Sequence, residues 1–344
     1  MESQIDMSTL KGKSVLVTGG ASGMGLALTT RFAHAGAHVT IADCQSQLGT
    51  QGADELSSKG YTVSFAHCDV QDYDSCQAAF KEAARSSDSG CLDVVALMAG
   101  VLGEKGSLVE QVVRASAVVE DTKQGIKMDE EEQEGEQNQD PPRPGHKAID
   151  VNLTGLYETT YLALWYLSTT HRALSEYGKK LRETTQCLPT SKSLILIGSS
   201  VSYADAPLFT DYQASKFGVR GLFRSIRHRS LVDRNIRVNM LAPSFVRTPL
   251  VPPALALLAK SGVEPGKGLN FVDIESVVDV AMRFAVDENL HGRAWTVVAG
   301  PKGTGEPSKD NDTVRDLCDD VDGLWGGQVL GEIEKMKKDD GCIL

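Results

Sequence analysis

The sequence lacks several features that would each fix a class of function. It contains no run of about 18 apolar residues, so no membrane-spanning helix is expected. Its seven cysteines (Cys44, Cys68, Cys76, Cys91, Cys187, Cys318 and Cys342) include no C-x-x-C pair and no tight cluster. That spacing fits reduced intracellular thiols better than a disulfide framework. The histidines form no H-E-x-x-H motif, and no metal site is expected. Basic residues are in deficit, with Lys+Arg 35 against Asp+Glu 46 and a formal net charge of −11. A nucleic-acid partner needs a basic face, so none is expected. The opening stretch MESQIDMSTLKGK has no apolar core of the signal-peptide kind. Cys342 stands third from the end, where prenylation requires the fourth position. A cytoplasmic location is the expectation.

What is present is an alternation of short apolar runs and helical patterns. KSVLVTG (13–19), AHVTIADC, YTVSFAHCDV and LDVVALMAG read as buried parallel strands, separated by helical stretches that stop at Gly36 and Gly60. The alternation resumes with a long helix in KAIDVNLTGLYETTYLALWYLSTTHRAL. It continues through strand SLILIGS, a helix over about 211–232, strand NIRVNMLAP, a helix near 274–286 and a last strand AWTVVAG. This order predicts a single α/β domain over 10–300, a doubly wound Rossmann-type parallel sheet of seven strands with helices on both faces. Residues 101–147 interrupt it. Their core, DEEEQEGEQNQDPPRP, has seven acids and no base between Lys127 and Arg143, which predicts a solvated, disordered insertion. Residues 301–344 read as a polar tail, with a weak helix near DNDTVRDLCDD.

Chemistry concentrates where strands end. VTGGASGMG (17–25) sets Gly19, Gly23 and Gly25 between the first strand and the first helix, as a pyrophosphate cradle requires. Thr18, Ser22 and Met24 belong to the same turn. Asp43 closes the second strand, where a carboxylate accepts both ribose hydroxyls of NAD and repels the additional phosphate of NADP. NAD is therefore the expected cofactor, with NADP less favoured. Asp69 and Val70 end the third strand; Asp69 reads equally as an adenine neighbour or as a helix N-cap. Further along, DYQASK places Tyr212 and Lys216 four apart on a helix, hence on one face within about 6 Å. An ammonium about 5 Å from a phenol, at an effective dielectric of about 20, contributes roughly 3 kcal/mol, or about two pKa units. That would bring a tyrosine towards the range of an acid–base catalyst.

Taken together, TGGASGMG, DVNLTG, DYQASK and NMLAPSFVRTPL resemble the classical short-chain dehydrogenase/reductase family over roughly 10–300. In motif style the chain looks most like fungal members labelled 15-hydroxyprostaglandin dehydrogenase-like. The resemblance implies a tetrad of Ser199, Tyr212, Lys216 and Asn152. In it Tyr212 moves the proton, Lys216 also holds the nicotinamide ribose, and Asn152 positions a water joined to Lys216. It adds Ala99, Gly100, Pro243, Val246 and Thr248 to the cofactor site. Ser199 is favoured over its neighbour Ser200 because the family's serine lies thirteen residues before the tyrosine. Two departures stand out: LMAG (97–100) puts Met98 where the family has asparagine, and Ser244 replaces the glycine of its P-G pair. The implied activity is NAD-dependent interconversion of a secondary alcohol and a ketone, by a homodimer or homotetramer. Loop 244–268 is rich in Leu, Val and Pro, which reads either as a lid for a lipophilic substrate or as ordinary packing. A second reading is a dinucleotide-binding scaffold with its chemistry retired or redirected.

Overall fold

A computed structural model describes residues 6–85, 90–103, 107–113, 143–168, 192–206, 208–260, 264–265, 268–300, 307, 309 and 312–317. Strands β1 (Ser14–Thr18), β2 (His38–Asp43), β3 (Val63–His67), β4 (Val94–Leu97), β5 (Lys192–Ile197) and β6 (Ile236–Leu241) form its central sheet. In β1, β4, β5 and β6 every residue is buried, as expected for parallel strands covered on both faces. A separate two-strand pair, β7 (Glu264–Pro265) and β8 (Gly268–Leu269), lies apart from it. The main sheet is completed by β9 (Ala294–Ala299) and β10 (Asp312–Asp316), in the order β10-β9-β6-β5-β4-β1-β2-β3.

The seven expected strands are present and parallel, and an eighth joins them. β10 runs antiparallel to β9, pairing Asp312 with Ala299 through Asp316 with Trp295. The weak helix expected around DNDTVRDLCDD is thus corrected to a strand. Tertiary pairing decides it: β9 leaves an open row of backbone groups, and β10 fills that row. Side chains anchor the strand further. Arg293 Nε donates to Asp316 Oδ2 at 2.7 Å, and Asp273 N donates to Asp312 Oδ2 at 2.8 Å. Part of the 301–344 segment therefore belongs to the sheet. Most of the acidic insertion lies outside the described residues; within its flank, 108–113 is helical.

Helices cover both faces. α1 (Gly23–His34), α2 (Ser46–Ser58) and α7 (Ile274–Val286) lie on one side, with Arg31 paired to Asp279 and Glu275 across α1 and α7. α3 (Tyr73–Arg85), α4 (Leu156–Ser168) and α5 (Thr210–Arg234) lie on the other. The chain enters α4 through one α-turn (Lys147–Ile149) and a π-helical stretch, Asp150–Gly155. α6 (Val251–Lys260) follows β6. Asp69 does not cap α3. Asp72 does, accepting from Asp74 N at 3.0 Å and Ser75 N at 3.3 Å. Asp43 and Asp69 instead line the cavity at the carboxyl ends of the strands, where the strand order reverses between β1 and β4.

The opposite end of the sheet is closed by charge. Lys192 Nζ donates to the buried Asp93 at 2.6 Å, and Asp93 also accepts from Ser14 N at 2.9 Å. Arg237 is 2% exposed and donates to the carbonyls of Phe284, Ala285, Asp287 and Leu290 at 2.7–3.1 Å. A cation thus satisfies the orphan carbonyls where α7 ends. Cys91 is disulfide-bonded, whereas Cys44, Cys68 and Cys76 are free. This corrects the expectation of uniformly reduced thiols.

His291 sits beside this cap, accepting from Val238 N, with His228, Arg227 and Arg237 facing it. Burial, then those charges, push its pKa down to about 4. The folded value lies below the ordinary 6.5, so the unfolded chain takes up the proton first as pH falls. Its contribution to stability is intact above about pH 6.5 and is lost on descent towards pH 4. Thermal melts should show the midpoint falling over that interval, and His291→Asn should flatten the fall. An unchanged slope in the variant would remove His291 as the cause.

Candidate active site

At the switch point the chain makes two approaches that only glycine permits. Gly19 has φ +66°, and a Cβ there would sit 2.7 Å from Ala99 Cα. A Cβ on Gly25 would fall 2.1 Å from Gly19 O. The turn is therefore backbone packed on backbone, with α1 starting immediately behind it. Ser22 makes no side-chain cap on α1, and the first turn carries no acid. The helix thus presents uncapped amides at its N-terminus, the arrangement suited to an anion. Thr18 is buried and does not line the cavity; its hydroxyl accepts from Met98 N at 3.1 Å and Ala99 N at 3.4 Å. With Met98 in place of asparagine, that hydroxyl and the Met98 N to Thr18 O bond tie β1 to the end of β4.

The cavity beyond has a volume of about 880 Å³. Gly19, Ser22, Gly23, Met24, Gly25, Asp43, Asp69, Val70, Ala99, Gly100, Pro243, Val246 and Thr248 all line it, as do Ser199, Tyr212 and Lys216. One end holds Asp43, Cys44, Gln45, Cys68, Asp69 and Val70, which supply two carboxylates and no cation. Asp43 is 5% exposed. Its Oδ2 accepts from Ala21 N at 3.0 Å and its Oδ1 from Gln45 N at 2.9 Å, so β2 is latched to the glycine turn. Cys44, Gln45 and the apolar rim went unmarked in the sequence reading; adjacency to Asp43 was the available signal for the first two. Within the 244–268 segment, Val251, Ala254 and Leu258 line the cavity, and Val251 also packs with Leu269 and Phe271.

At the other end, Lys216 Nζ lies 5.6 Å from the centroid of the Tyr212 ring. Of the two adjacent serines, Ser199 is the one whose side chain acts on the Tyr212 phenol, lowering its pKa. Ser199 itself caps a short 3-10 turn, Ser200–Ser202, and its amide donates to Ser202 Oγ at 3.2 Å. Lys216 is 3% exposed and donates to Ile197 O at 3.0 Å. Asn152 is fully buried in the π-helical stretch. Its Oδ1 accepts from Val101 N, and its Nδ2 donates to Val101 O, both at 2.8 Å, and to Ser215 Oγ at 3.2 Å. Ser215 Oγ donates onward to Tyr212 O at 2.6 Å. Asn152 does not line the cavity, though its Oδ1 and Lys216 Nζ both flank Gly100.

The electrostatics differ from the sequence expectation. Burial raises the Tyr212 phenol above its ordinary value, and the Ser199 hydrogen bond opposes it only in part. Burial also pushes Lys216 down to about 7. In the ligand-free chain desolvation thus outweighs the cation–phenol attraction and draws both groups towards neutrality. Among the described residues, no three His, Cys, Asp or Glu side chains group as metal ligands, and no helix is long and apolar enough to cross a membrane.

Comparison with known proteins shows the family. The chain is 38% identical over 344 residues to a 5'-hydroxyaverantin dehydrogenase of Dothistroma septosporum, covering 99% of this chain and 98% of that one. It is 36% identical to 5'-hydroxyaverantin dehydrogenase stcG of Emericella nidulans, covering 98% and 96%. An NADP-dependent dehydrogenase M3 of a Phoma species is 32% identical, covering 96% and 86%. These relatives replace the prostaglandin-dehydrogenase-like affiliation suggested by motif style. The crystal structure of gox2181 matches with a TM-score of 0.57 at 23% identity, over 84% of this chain and 95% of that one, and shares the fold. The short chain dehydrogenase family model matches residues 13–174 and 184–256, and the chain belongs to that family as an oxidoreductase acting on CH–OH groups.

Proposed function

We propose that the protein is an NAD-dependent dehydrogenase that oxidises a secondary alcohol on a lipophilic molecule of fungal secondary metabolism. The observation that carries this reading is the Ser199–Tyr212–Lys216 contact, set in the same cavity as the glycine turn. The 5'-hydroxyaverantin dehydrogenases among its relatives support an alcohol as the substrate. Phe209, Phe245, Leu208, Leu250, Val251 and Leu258 give the cavity a suitably apolar wall.

The residues present fit a dinucleotide. The cradle around Gly19 and Gly25 has no room for a Cβ, and α1 presents free amides behind it. The pyrophosphate would rest there, with the adenosine ribose on Asp43 and the adenine beside Asp69 and Val70. Lys216 would hold the nicotinamide ribose, and Pro243, Val246 and Thr248 would bound the nicotinamide. Bound NAD supplies the acceptor for two electrons and a hydrogen at C4 of its ring. The rest is done by this chain. Ser199 donates to the substrate oxygen and fixes its position. Tyr212, in its deprotonated form, takes the hydroxyl proton as the carbinol C–H bond breaks and the carbonyl forms. Asn152 holds the π-turn and the α5 turn in register, keeping Lys216 below the phenol, with a water relay to Lys216 as its proposed further role.

NAD is preferred over NADP on the strength of the two carboxylates and missing cation at the adenosine end. The name of the Phoma relative points the other way for that protein. We further propose that two copies of the chain associate through α4 and α5. Tyr157, Tyr161 and Trp165 recur every four residues on α4 and are 53–61% exposed, with Phe217 of α5 44% exposed.

Tyr212→Phe should lower kcat for alcohol oxidation by about 10²–10⁴-fold while leaving NAD binding measurable by calorimetry. Because burial raises the phenol, wild-type oxidation should accelerate with rising pH and ketone reduction should slow. Activity indifferent to Tyr212→Phe would favour the retired-scaffold reading. For the cofactor, kcat/KM with NAD should exceed that with NADP by at least about tenfold, and Asp43→Asn should narrow the ratio. A wild-type preference for NADP would overturn the assignment. Sedimentation should detect a dimer that Tyr161→Glu converts to monomer; a wild-type monomer at micromolar concentration would rule the interface out.

A further inference from the structure

The cavity offers more hydrogen-bonding capacity than proton and electron transfer consume. Ser200 and Ser244 both line it and both are half-buried. Their backbones are fixed: Ser200 N donates to Pro243 O at 3.0 Å, and Ser244 N donates to Val297 O at 2.9 Å. The first of these bonds ties the loop after β5 to the loop after β6, so the two serines occupy adjoining parts of the wall. Neither hydroxyl has a partner among the described residues. Ser199, by contrast, already accepts from the amide of Val201 and is assigned to the carbinol oxygen.

A hydroxyl set in a mostly apolar wall is costly once a ligand displaces water from it, unless the ligand supplies a partner. Two such groups, on backbone segments tied to one another, amount to a point of recognition on this wall. We infer that Ser200 and Ser244 bind a second oxygen on the substrate, distinct from the carbinol. The substrate class is therefore an apolar secondary alcohol that carries a further hydroxyl or carbonyl oxygen. This inference rests on the proposed dehydrogenase reading and refines it. It also gives a role to Ser244, the residue that stands where the family has glycine.

The test uses the full chain with saturating NAD and a set of probes: 1-(2-naphthyl)ethanol and its isomers bearing one ring hydroxyl at successive positions. At least one hydroxylated isomer should exceed the parent in kcat/KM by about tenfold. Ser200→Ala and Ser244→Gly should each reduce that ratio by about 3–10-fold, the size of one lost hydrogen bond. NAD affinity, measured by calorimetry, separates this from a role in holding the dinucleotide. Equal rates for all isomers, a ratio untouched by the double variant, or a loss confined to NAD affinity would each overturn the inference while the dehydrogenase reading stands. If no probe turns over with NAD or NADP, that reading itself fails. The serines are then judged by calorimetry of 2-acetonaphthone and its ring-hydroxylated forms on the NADH-loaded chain, where equal affinities refute the inference.

Discussion

The site depends on the carboxamide of Asn152. It is fully buried and bonds both backbone groups of Val101 and the hydroxyl of Ser215, which in turn bonds Tyr212 O. Three separate pieces of chain are thereby set against one another: the loop leaving β4, the π-helical turn before α4, and the first turns of α5. A π-helical stretch is rare and costly, and its persistence here is explained by what it delivers. It turns a side chain inward that would otherwise sit on a regular helix face. Both ends of the amide are used, so Asp, Ala or Gln at this position would each leave a buried group unmatched.

Around that lock the chain tolerates costs of its own. A lysine held at about 7 by burial binds fewer protons in the fold than when unfolded, between about pH 7 and its ordinary value near 10.5. Its burial therefore subtracts stability increasingly as pH falls through that window. The Asp93–Lys192 pair and the Arg237 cap lie at the far end of the strands, where charge closes the structure instead of performing chemistry. The division is the usual one for an open parallel sheet: reactive groups at the carboxyl ends of the strands, structural ones at the amino ends.

Much of this was legible in the residues. Continuous apolar runs marked the parallel strands, and the glycine turn and the Tyr212–Lys216 spacing marked the two ends of the cavity. The choice of Ser199 over Ser200 rested on register, and Ser199 is the serine whose side chain lowers the phenol pKa. What was not legible depended on distant partners. Thr313 and Val314 acquire strand geometry because β9 offers an edge, not because of their neighbours. Asp72 displaced Asp69 as the cap because the loop takes three further residues to reach α3. The balance at Tyr212 was misjudged because a sequence shows that a lysine is near but not how dry the pair is.

The last strand of the sheet carries a consequence for how the chain is made. β10 follows β9 in the sequence and pairs antiparallel to it, so the seven parallel strands are synthesised first, with the flank of β9 bare. A molecule in which that strand has not yet docked offers the flank to any passing extended peptide, its own siblings included. Arrival of Asp312–Asp316 ends the exposure by turning a sticky template into a charged, self-paired border.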